Sequence, residues 1–251
     1  MKSRGILFST PMVKALLDGT KTQTRRVIKD SFNGCWTGGV QGHPCPNDPI
    51  VFRPGEVITD EEGNQQVVDF TDVVEAHFHC STMDKTARCP YGKVGDRLWV
   101  RETWAFLDIG PEDSGYVYRA SENGEAWEQN DPSWKWKPSI FMPREACRIT
   151  LEITDIRAER LLSISEEDAI TEGIEKISKE DSPMTFWRNY SPKDVESFGR
   201  FNSVFMAQES YWSLWDSING KQSYLVNPWV WAITFKVTVN EKAPDTLQIP
   251  S

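Results

Sequence analysis

The spacing of apolar positions predicts the first elements of the chain. Residues 5–8, GILF, form a short apolar run typical of a buried strand. Residues 9–20 carry the marks of a helix, since Pro11 fits a first helical turn and Gly19 is placed to end it. Apolar side chains recur there at helical spacing, so we expect one face of this helix to pack against a core.

The next stretch, residues 20–28 with the sequence TKTQTRRVI, changes to the two-residue period of a strand. On that period Thr22, Thr24 and Arg26 share one face. Lys21 lies in the turn just before the strand and can curl toward the same face. The segment places several hydroxyl groups and cations directly after Gly19. Such a segment is either a solvated turn with an exposed strand or part of a catalytic site.

A third strand is predicted within residues 93–106, KVGDRLWVRETWAF, after a Gly-Asp turn. Leu98 and Val100 fall on one face of this strand, and Trp99 and Arg101 fall on the other. The first pair is expected in a core. The second pair is available to line a pocket or to pack across the sheet.

The C-terminal half predicts a long strand or bent pair of strands with an irregularity at Pro143, two helices and a last strand. These elements cover residues 139–161, 163–174, 203–220 and 228–239. Ser165 is placed to cap the first of these helices, and Gly173 is placed to end it. Glu172 then lies in the last turn, where the helix dipole is negative and a carboxylate is poorly placed.

Polar stretches rich in Gly, Pro and Asp separate these elements. They predict insertions at about residues 30–92, 108–137 and 174–202 within a single domain that spans residues 1–251. Several strands and three helices predict an α+β fold, in which a small β-barrel carries flanking helices and long loops.

The composition limits the partners. A formal net charge of −9 argues against bulk, sequence-independent binding of nucleic acid, but it leaves room for one local basic pocket. No apolar run approaches the ~20 residues needed to cross a bilayer, and the N-terminal segment lacks the pattern of a signal peptide. We therefore expect a cytoplasmic protein without a membrane partner.

Five cysteines and three histidines raise the question of a metal. An odd number of cysteines without a secretion signal argues against a disulfide framework. The spacings contain no standard C-x-x-C pair, so free thiols in an irregular insertion are favoured and no cofactor is expected. The alternative is a structural zinc ion held by Cys35, Cys45, Cys80 or His79, and Cys89.

The opening segment resembles the mark of the ASCH family, Gly-x-Lys-x-x-Glu-x-Arg, whose members have a PUA-like β-barrel fold. Gly19, Lys21 and Arg26 match, and Thr24 occupies the glutamate position. Three further segments, GDRLWVRETW, MPREACRITLEI and NPWVWAITFKV, resemble the larger ASCH proteins that are common in phages and prophages. The resemblance extends from about residue 5 to residue 239.

Threonine at this position, in a GxKTxTxR context, resembles the bacterial N4-acetylcytidine amidohydrolases of the same family. Those enzymes have a catalytic glutamate eight residues into a helix that starts (L/I)-(S/T)-E, and counting from Ile164 in this chain lands on Glu172. The resemblance implies Lys21 as general base, Thr24 as nucleophile and Glu172 as acid–base partner. It also implies a small-molecule nucleoside substrate, an N4-acylated cytosine.

These residue types fit the chemistry of amide hydrolysis. A threonine hydroxyl becomes a nucleophile when a base takes its proton, and a lysine near other cations can be that base. Arg26 is a candidate to stabilise the oxyanion that forms. The predicted substrate contacts, each of which also has a structural explanation, are Arg25, Arg26, Trp99, Arg101, Glu102, Trp104 and Arg144.

Two other functions stay open at this point. A non-catalytic RNA- or nucleotide-binding module would use a local basic surface made of Arg25, Arg26, Arg101, Arg144 and Arg148. A ribonuclease is the weaker alternative, because three histidines leave little choice for the usual histidine acid–base pair.

Overall fold

The computed structural model describes most of the chain outside the polar insertions. The described residues are 2–29, 35–37, 40–43, 50–52, 57–59, 65–67, 74–80, 83–108, 110, 114–121, 124, 134–178, 184–191 and 203–239. Within these residues the fold is α+β, with more strand than helix.

The three α-helices that the sequence predicts are all present in the described part of the chain. They are α1 (Thr10–Leu17), α2 (Glu166–Thr171) and α3 (Ala207–Asn219). None of the described helices is long and apolar enough to cross a lipid bilayer.

The strands of the described residues fall into one five-stranded sheet and several smaller sheets. The strands are β1 (Ser3–Leu7), β2 (Gln23–Val27), β3 (Cys35–Thr37), β4 (Val40–His43), β5 (Ile50–Phe52), β6 (Val57–Thr59), β7 (Gln65–Val67), β8 (Glu75–Cys80), β9 (Met83–Arg88), β10 (Arg97–Arg101), β11 (Trp104–Leu107), β12 (Gly115–Tyr118), β13 (Ile149–Arg160), β14 (Trp187–Arg188), β15 (Ser203–Val204) and β16 (Trp229–Val239).

The five-stranded sheet has the order β1-β10-β13-β16-β2. β1 is parallel to β10, whereas β13 is antiparallel to β10 and β2 is antiparallel to β16. β1 and β2 are its two edges, so the described strands form an open sheet. The closed small barrel that the sequence analysis expects is not found among them.

The chain divides into two compact units, and each is built from separate stretches of sequence. The first comprises Met1–Thr22, Gly95–Ile153 and Phe235–Ser251, and the second comprises Gln23–Val94 and Thr154–Thr234. β13 and β16 each contribute residues to both units. The predicted single domain over residues 1–251 stays a prediction.

The core of the first unit contains the buried face of α1 and one face of β10. Met12 and Leu16 of α1 are buried, as the helical spacing predicts, and so are Leu98 and Val100 of β10. Trp99 alternates with them and is only partly buried. The alternation in the sequence therefore predicts which face of β10 is internal.

The predicted long strand over residues 139–161 is wrong in its first half. Two short 3₁₀ turns, Ser139–Phe141 and Arg144–Ala146, flank Pro143, and the strand begins at Ile149. Proline has no N–H to give to a sheet and fixes its own backbone, which favours turns on either side. The irregularity expected at Pro143 replaces the strand instead of bending it.

Candidate active site

Lys21 lies in the turn that follows the end of α1 at Leu17. Gly19 takes a φ of +72°, the left-handed conformation that lets the chain leave the helix. The Lys21 N–H then donates to the carbonyl of Ala15 at 3.0 Å. The Lys21 side chain is 1 % exposed, and its Nζ lies 5.8 Å from the centroid of the Phe8 ring. A lysine this buried is rare, and the sequence alone places it in an ordinary turn.

Thr24 is held by strand pairing in the second unit. β2 runs antiparallel to β16, with Thr24 opposite Ile233 and Arg26 opposite Trp231. Thr24 is 4 % exposed, and Arg26, on the same face of the strand, is partly buried. The shared face that the sequence predicts for these two residues follows from this register.

Glu172 is positioned by the two ends of α2. The Ser165 hydroxyl caps the helix by accepting the N–H of Asp168 at 3.1 Å, as predicted. Glu172 is the C-terminal cap, and Gly173 leaves the helix at a φ of +81°. The Glu172 side chain is 3 % exposed, so the helix end carries its carboxylate into the interior.

The carboxylate of Glu172 meets β2 through Arg25. Arg25 Nη1 donates to Glu172 Oε1 at 3.1 Å and to Gln23 Oε1 at 2.5 Å. Its Nε donates to Glu159 Oε1 at 2.8 Å, and Nη2 donates to Asp168 Oδ2 at 2.8 Å. The Arg25 guanidinium therefore ties three carboxylates and one amide to β2, and we call this group the Arg25 cluster.

Arg25 and the neighbouring Tyr211 both have a pKa above the ordinary value. Burial lowers the pKa of Arg25, but the negative charge of nearby carboxylates, first that of Glu172, more than offsets it, so the pKa lies above its ordinary value. Burial, and then the carboxylate of Glu172, raise the pKa of Tyr211 well above its ordinary value. Arg25 is thus a permanent cation beside a phenol that stays neutral.

The Arg25 cluster lies on one side of β2. Side chains alternate along a strand, so Gln23 and Arg25 share the face opposite to Thr24 and Arg26. The hydrogen bond from Arg25 therefore brings the Glu172 carboxylate to the face of β2 that carries Gln23 and Arg25. Thr24 lies on the opposite face. Thr24 and Glu172 both belong to the second unit, and Lys21 belongs to the first.

No family model, curated protein or solved structure matches this chain. The likeness to the ASCH family therefore depends on the residues themselves: Gly19, Lys21, Thr24 and Arg26 in the opening segment, and Glu172 in α2.

Two predicted substrate residues, Trp99 and Arg144, line one cleft of the first unit. This cleft has a volume of about 370 Å³, and its other lining residues are Lys2, Ser3, Arg97, Cys147 and Thr150. Arg101 lies on the same face of β10 as Trp99, with its guanidinium carbon 5.2 Å from the Trp99 ring centroid. It donates to the carbonyl of Ile140.

Glu102 and Trp104 lie in the interior of the first unit. Glu102 accepts two hydrogen bonds from the Arg148 guanidinium, each 2.9 Å long, and both side chains are 1 % exposed. Trp104 packs in an apolar cluster with Tyr118 and Met142. Their predicted substrate contacts stay predictions, and the contacts present are structural.

Burial removes two cations from the basic surface considered above. Arg25 and Arg148 are 4 % and 1 % exposed, and both are paired with carboxylates. An RNA phosphate cannot reach a guanidinium in that position without breaking the ion pairs. Of the five arginines, Arg26, Arg101 and Arg144 remain candidates for that basic surface.

The zinc prediction falls mostly outside the side chains that the structure describes. Cys45 lies outside the described residues, and nothing is described of the side chains of Cys35, Cys80 and His79. Cys89 is buried and is not part of a disulfide. The described side chains contain no group of three metal-ligating residues.

Sequence reasoning missed the partners of the predicted residues. Glu159, Asp168 and Tyr211 surround Arg25, and their distance along the chain left no local signal. Arg97 of the cleft did have a signal, since it alternates with Trp99 and Arg101 on the same face of β10. For Lys2 the sequence contains no such signal, because only the β1–β10 pairing brings Lys2 to the cleft.

Proposed function

We propose that the protein is an amidohydrolase that removes the acyl group from N4-acylated cytosine nucleosides. Lys21 is the general base, Thr24 the nucleophile and Glu172 the acid–base partner. The support is the joint match of these residues to the motif of the N4-acetylcytidine amidohydrolases, together with the burial of all three side chains.

The observation that carries the proposal is the burial of Lys21. A lysine needed only for solubility stays in water, whereas this side chain is 1 % exposed and lies three residues before a threonine that is also buried. A lysine amine is one of the groups that can act as a general base toward a nearby hydroxyl.

The reaction balances with these groups. Lys21 takes the proton of the Thr24 hydroxyl, and Oγ1 attacks the carbonyl carbon of the N4-acyl group. The tetrahedral oxyanion is stabilised by Arg26. Its collapse breaks the C–N bond, and the protonated Lys21 gives its proton to the leaving cytosine N4. Glu172, whose carboxylate is paired with Arg25, then serves as the base for the water of the next step. Water then cleaves the acyl-threonine ester, releases a carboxylic acid and restores the proton to the enzyme.

The test is hydrolysis of N4-acetylcytidine and N4-benzoyl-2′-deoxycytidine, followed by the change in absorbance as the free cytosine nucleoside forms. Lys21→Ala, Thr24→Ala and Glu172→Ala are compared with wild type. Matched controls are Lys29→Ala, Thr20→Ala and Glu167→Ala, which remove exposed side chains of the same types. Circular dichroism confirms that each variant is folded.

We expect Lys21→Ala and Thr24→Ala to lower kcat by about 100-fold or more, as is typical for the loss of a base or a nucleophile. The three controls keep wild-type kcat. Wild-type turnover that survives both Lys21→Ala and Thr24→Ala would contradict the assigned roles, and no turnover of either substrate would contradict the function.

A further inference from the structure

The cleft that Trp99 and Arg144 line is positively charged, whereas the chain as a whole is negatively charged. Three of its lining residues are cations, Lys2, Arg97 and Arg144, and the described residues that line it include no carboxylate. The chain as a whole carries a net charge of −9. A local excess of positive charge in an acidic protein favours an anionic ligand at that place.

The backbone holds these cations from different elements. Lys2 precedes β1, where its N–H donates to the carboxylate of Asp96 at 2.8 Å and its carbonyl accepts the N–H of Arg97 at 3.0 Å. Arg144 comes from the 3₁₀ turn after Pro143. Arg97 and Arg144 are both exposed, so their guanidinium groups are accessible to a ligand in solution. Glu152, the residue opposite Arg97 on β13, is exposed as well, so a phosphate would compete with it for Arg97.

Trp99 gives the cleft an aromatic wall. Gly5 is the neighbour of Trp99 across the parallel β1–β10 pairing. A Cβ atom at Gly5 would lie 3.0 Å from two atoms of the Trp99 ring, so the indole lies directly over the glycine backbone. On the other side of β10, Thr150 of β13 pairs with Trp99 and adds a hydroxyl to the lining.

The thiol of Cys147 does not add negative charge to this lining. Burial raises the pKa of the Cys147 thiol, and its Sγ donates to the carbonyl of Ile149 at 3.1 Å. A volume of about 370 Å³ falls at the lower end of the range for small-molecule pockets, which suits one small ligand.

We propose that this cleft binds a nucleoside monophosphate, with its phosphate held by Lys2, Arg97 and Arg144 and its base against Trp99. Arginine donates two parallel hydrogen bonds to phosphate, and aromatic rings stack on bases of any sequence. The site lies wholly in the first unit and does not depend on the proposed hydrolase activity.

Isothermal titration with cytidine 5′-monophosphate (CMP) tests this proposal. CMP has no amide to hydrolyse, so its binding is independent of turnover. Cytidine tests the contribution of the phosphate, and ribose 5-phosphate tests that of the base. The variants are Arg144→Glu, Arg97→Glu and Trp99→Leu. Lys221→Glu is the matched control, because it makes the same charge reversal at an exposed lysine that is not among the lining residues of the cleft.

We expect CMP to bind at least tenfold more tightly than cytidine, and Arg144→Glu and Arg97→Glu each to weaken CMP about tenfold or more, as expected for the loss of a charged hydrogen bond. Lys221→Glu should leave the affinity unchanged. Trp99→Leu should remove the advantage of CMP over ribose 5-phosphate, and inorganic phosphate should compete with CMP.

Three results would overturn the proposal. The first is equal affinity for cytidine and CMP, because the phosphate would then not be recognised. The second is absence of CMP binding up to millimolar concentration. The third is a single-stranded oligonucleotide that binds through Arg144 at least tenfold more tightly than CMP, which would make the cleft part of a nucleic-acid interface.

Discussion

At the scale of single residues, the buried pair of Glu102 and Arg148 is a strong structural constraint on the first unit. The two side chains share two hydrogen bonds, and Arg148 also donates to Ser121 Oγ at 2.9 Å and lies 4.1 Å from the Tyr118 ring centroid. Removal of one partner from such a pair leaves a charge in the interior, whereas removal of both does not.

Glu102→Met and Arg148→Met should each lower the free energy of unfolding by about 3–5 kcal/mol. The double variant should lose less than the sum, because neither charge is then left alone. Urea unfolding of the four proteins measures this double-mutant cycle. If Glu102→Met leaves stability intact but impairs substrate binding, the residue acts on substrate instead.

The titration of the Tyr116 hydroxyl reports its hydrogen bond with Glu145. The hydrogen bond that its hydroxyl donates to Glu145 at 2.7 Å, and then partial burial, raise the pKa of Tyr116 to about 12. Because the folded pKa lies above the ordinary value of 10, the stability that this contact contributes is present below pH 10. It is lost as the pH rises from about 10 to about 12.

Glu145→Gln should move the pKa of Tyr116 down from about 12 toward 10. The measurement is NMR of ¹³C-labelled tyrosine rings from pH 8 to pH 13, with Tyr116→Phe to assign the signal. A Tyr116 titration that is the same in wild type and Glu145→Gln would show that another group causes the shift.

At the scale of elements, the ends of α2 decide where Glu172 lies. Ser165→Ala removes the hydroxyl that accepts the N–H of Asp168 and should lower the free energy of unfolding by about 1 kcal/mol. Ser165→Asp, which restores an acceptor, should recover most of that loss. Chemical denaturation measures both changes, and equal stability of wild type and Ser165→Ala would show that the cap bond is not made in solution.

The sequence predicts α2 well because its signals are local. Ser165 and Gly173 are within a few residues of the helix ends that they mark, and each is found at the predicted cap. The contact of Glu172 with Arg25 joins residues 147 positions apart. Spacing cannot reveal such a pair, because only the tertiary fold decides which of many carboxylates meets a given arginine.

The same reasoning explains the errors in the strands. Alternation of Leu98 and Val100 with Trp99 correctly predicts the faces of β10. It fails before Ile149, where the turns around Pro143 depend on backbone geometry and apolar spacing carries no information about them. It also cannot tell an open sheet from a barrel, because closure depends on how edge strands pair.

At the scale of the whole molecule, a negative net charge opposes binding of a nucleic-acid polymer. It still allows a local group of cations to bind one phosphate. With a net charge of −9, the protein should bind a 20-base-pair duplex more weakly than about 10⁻⁴ M at physiological salt, below the usual non-specific range. Fluorescence anisotropy at 50 and 150 mM salt measures this. Tighter duplex binding with a steep salt dependence would instead support the nucleic-acid-binding alternative.

The pairing of β2 with β16 has a consequence during synthesis. Gln23 of β2 donates to Thr234 Oγ1 of β16 at 3.2 Å, across 211 residues of sequence. At about 5–20 residues per second, the ribosome needs roughly 10–40 s between making these two strands. Throughout that interval the strand that carries Thr24 has no β16 to pair with. The proposed nucleophile therefore acquires its native neighbour, Ile233, only after the ribosome has synthesised β16.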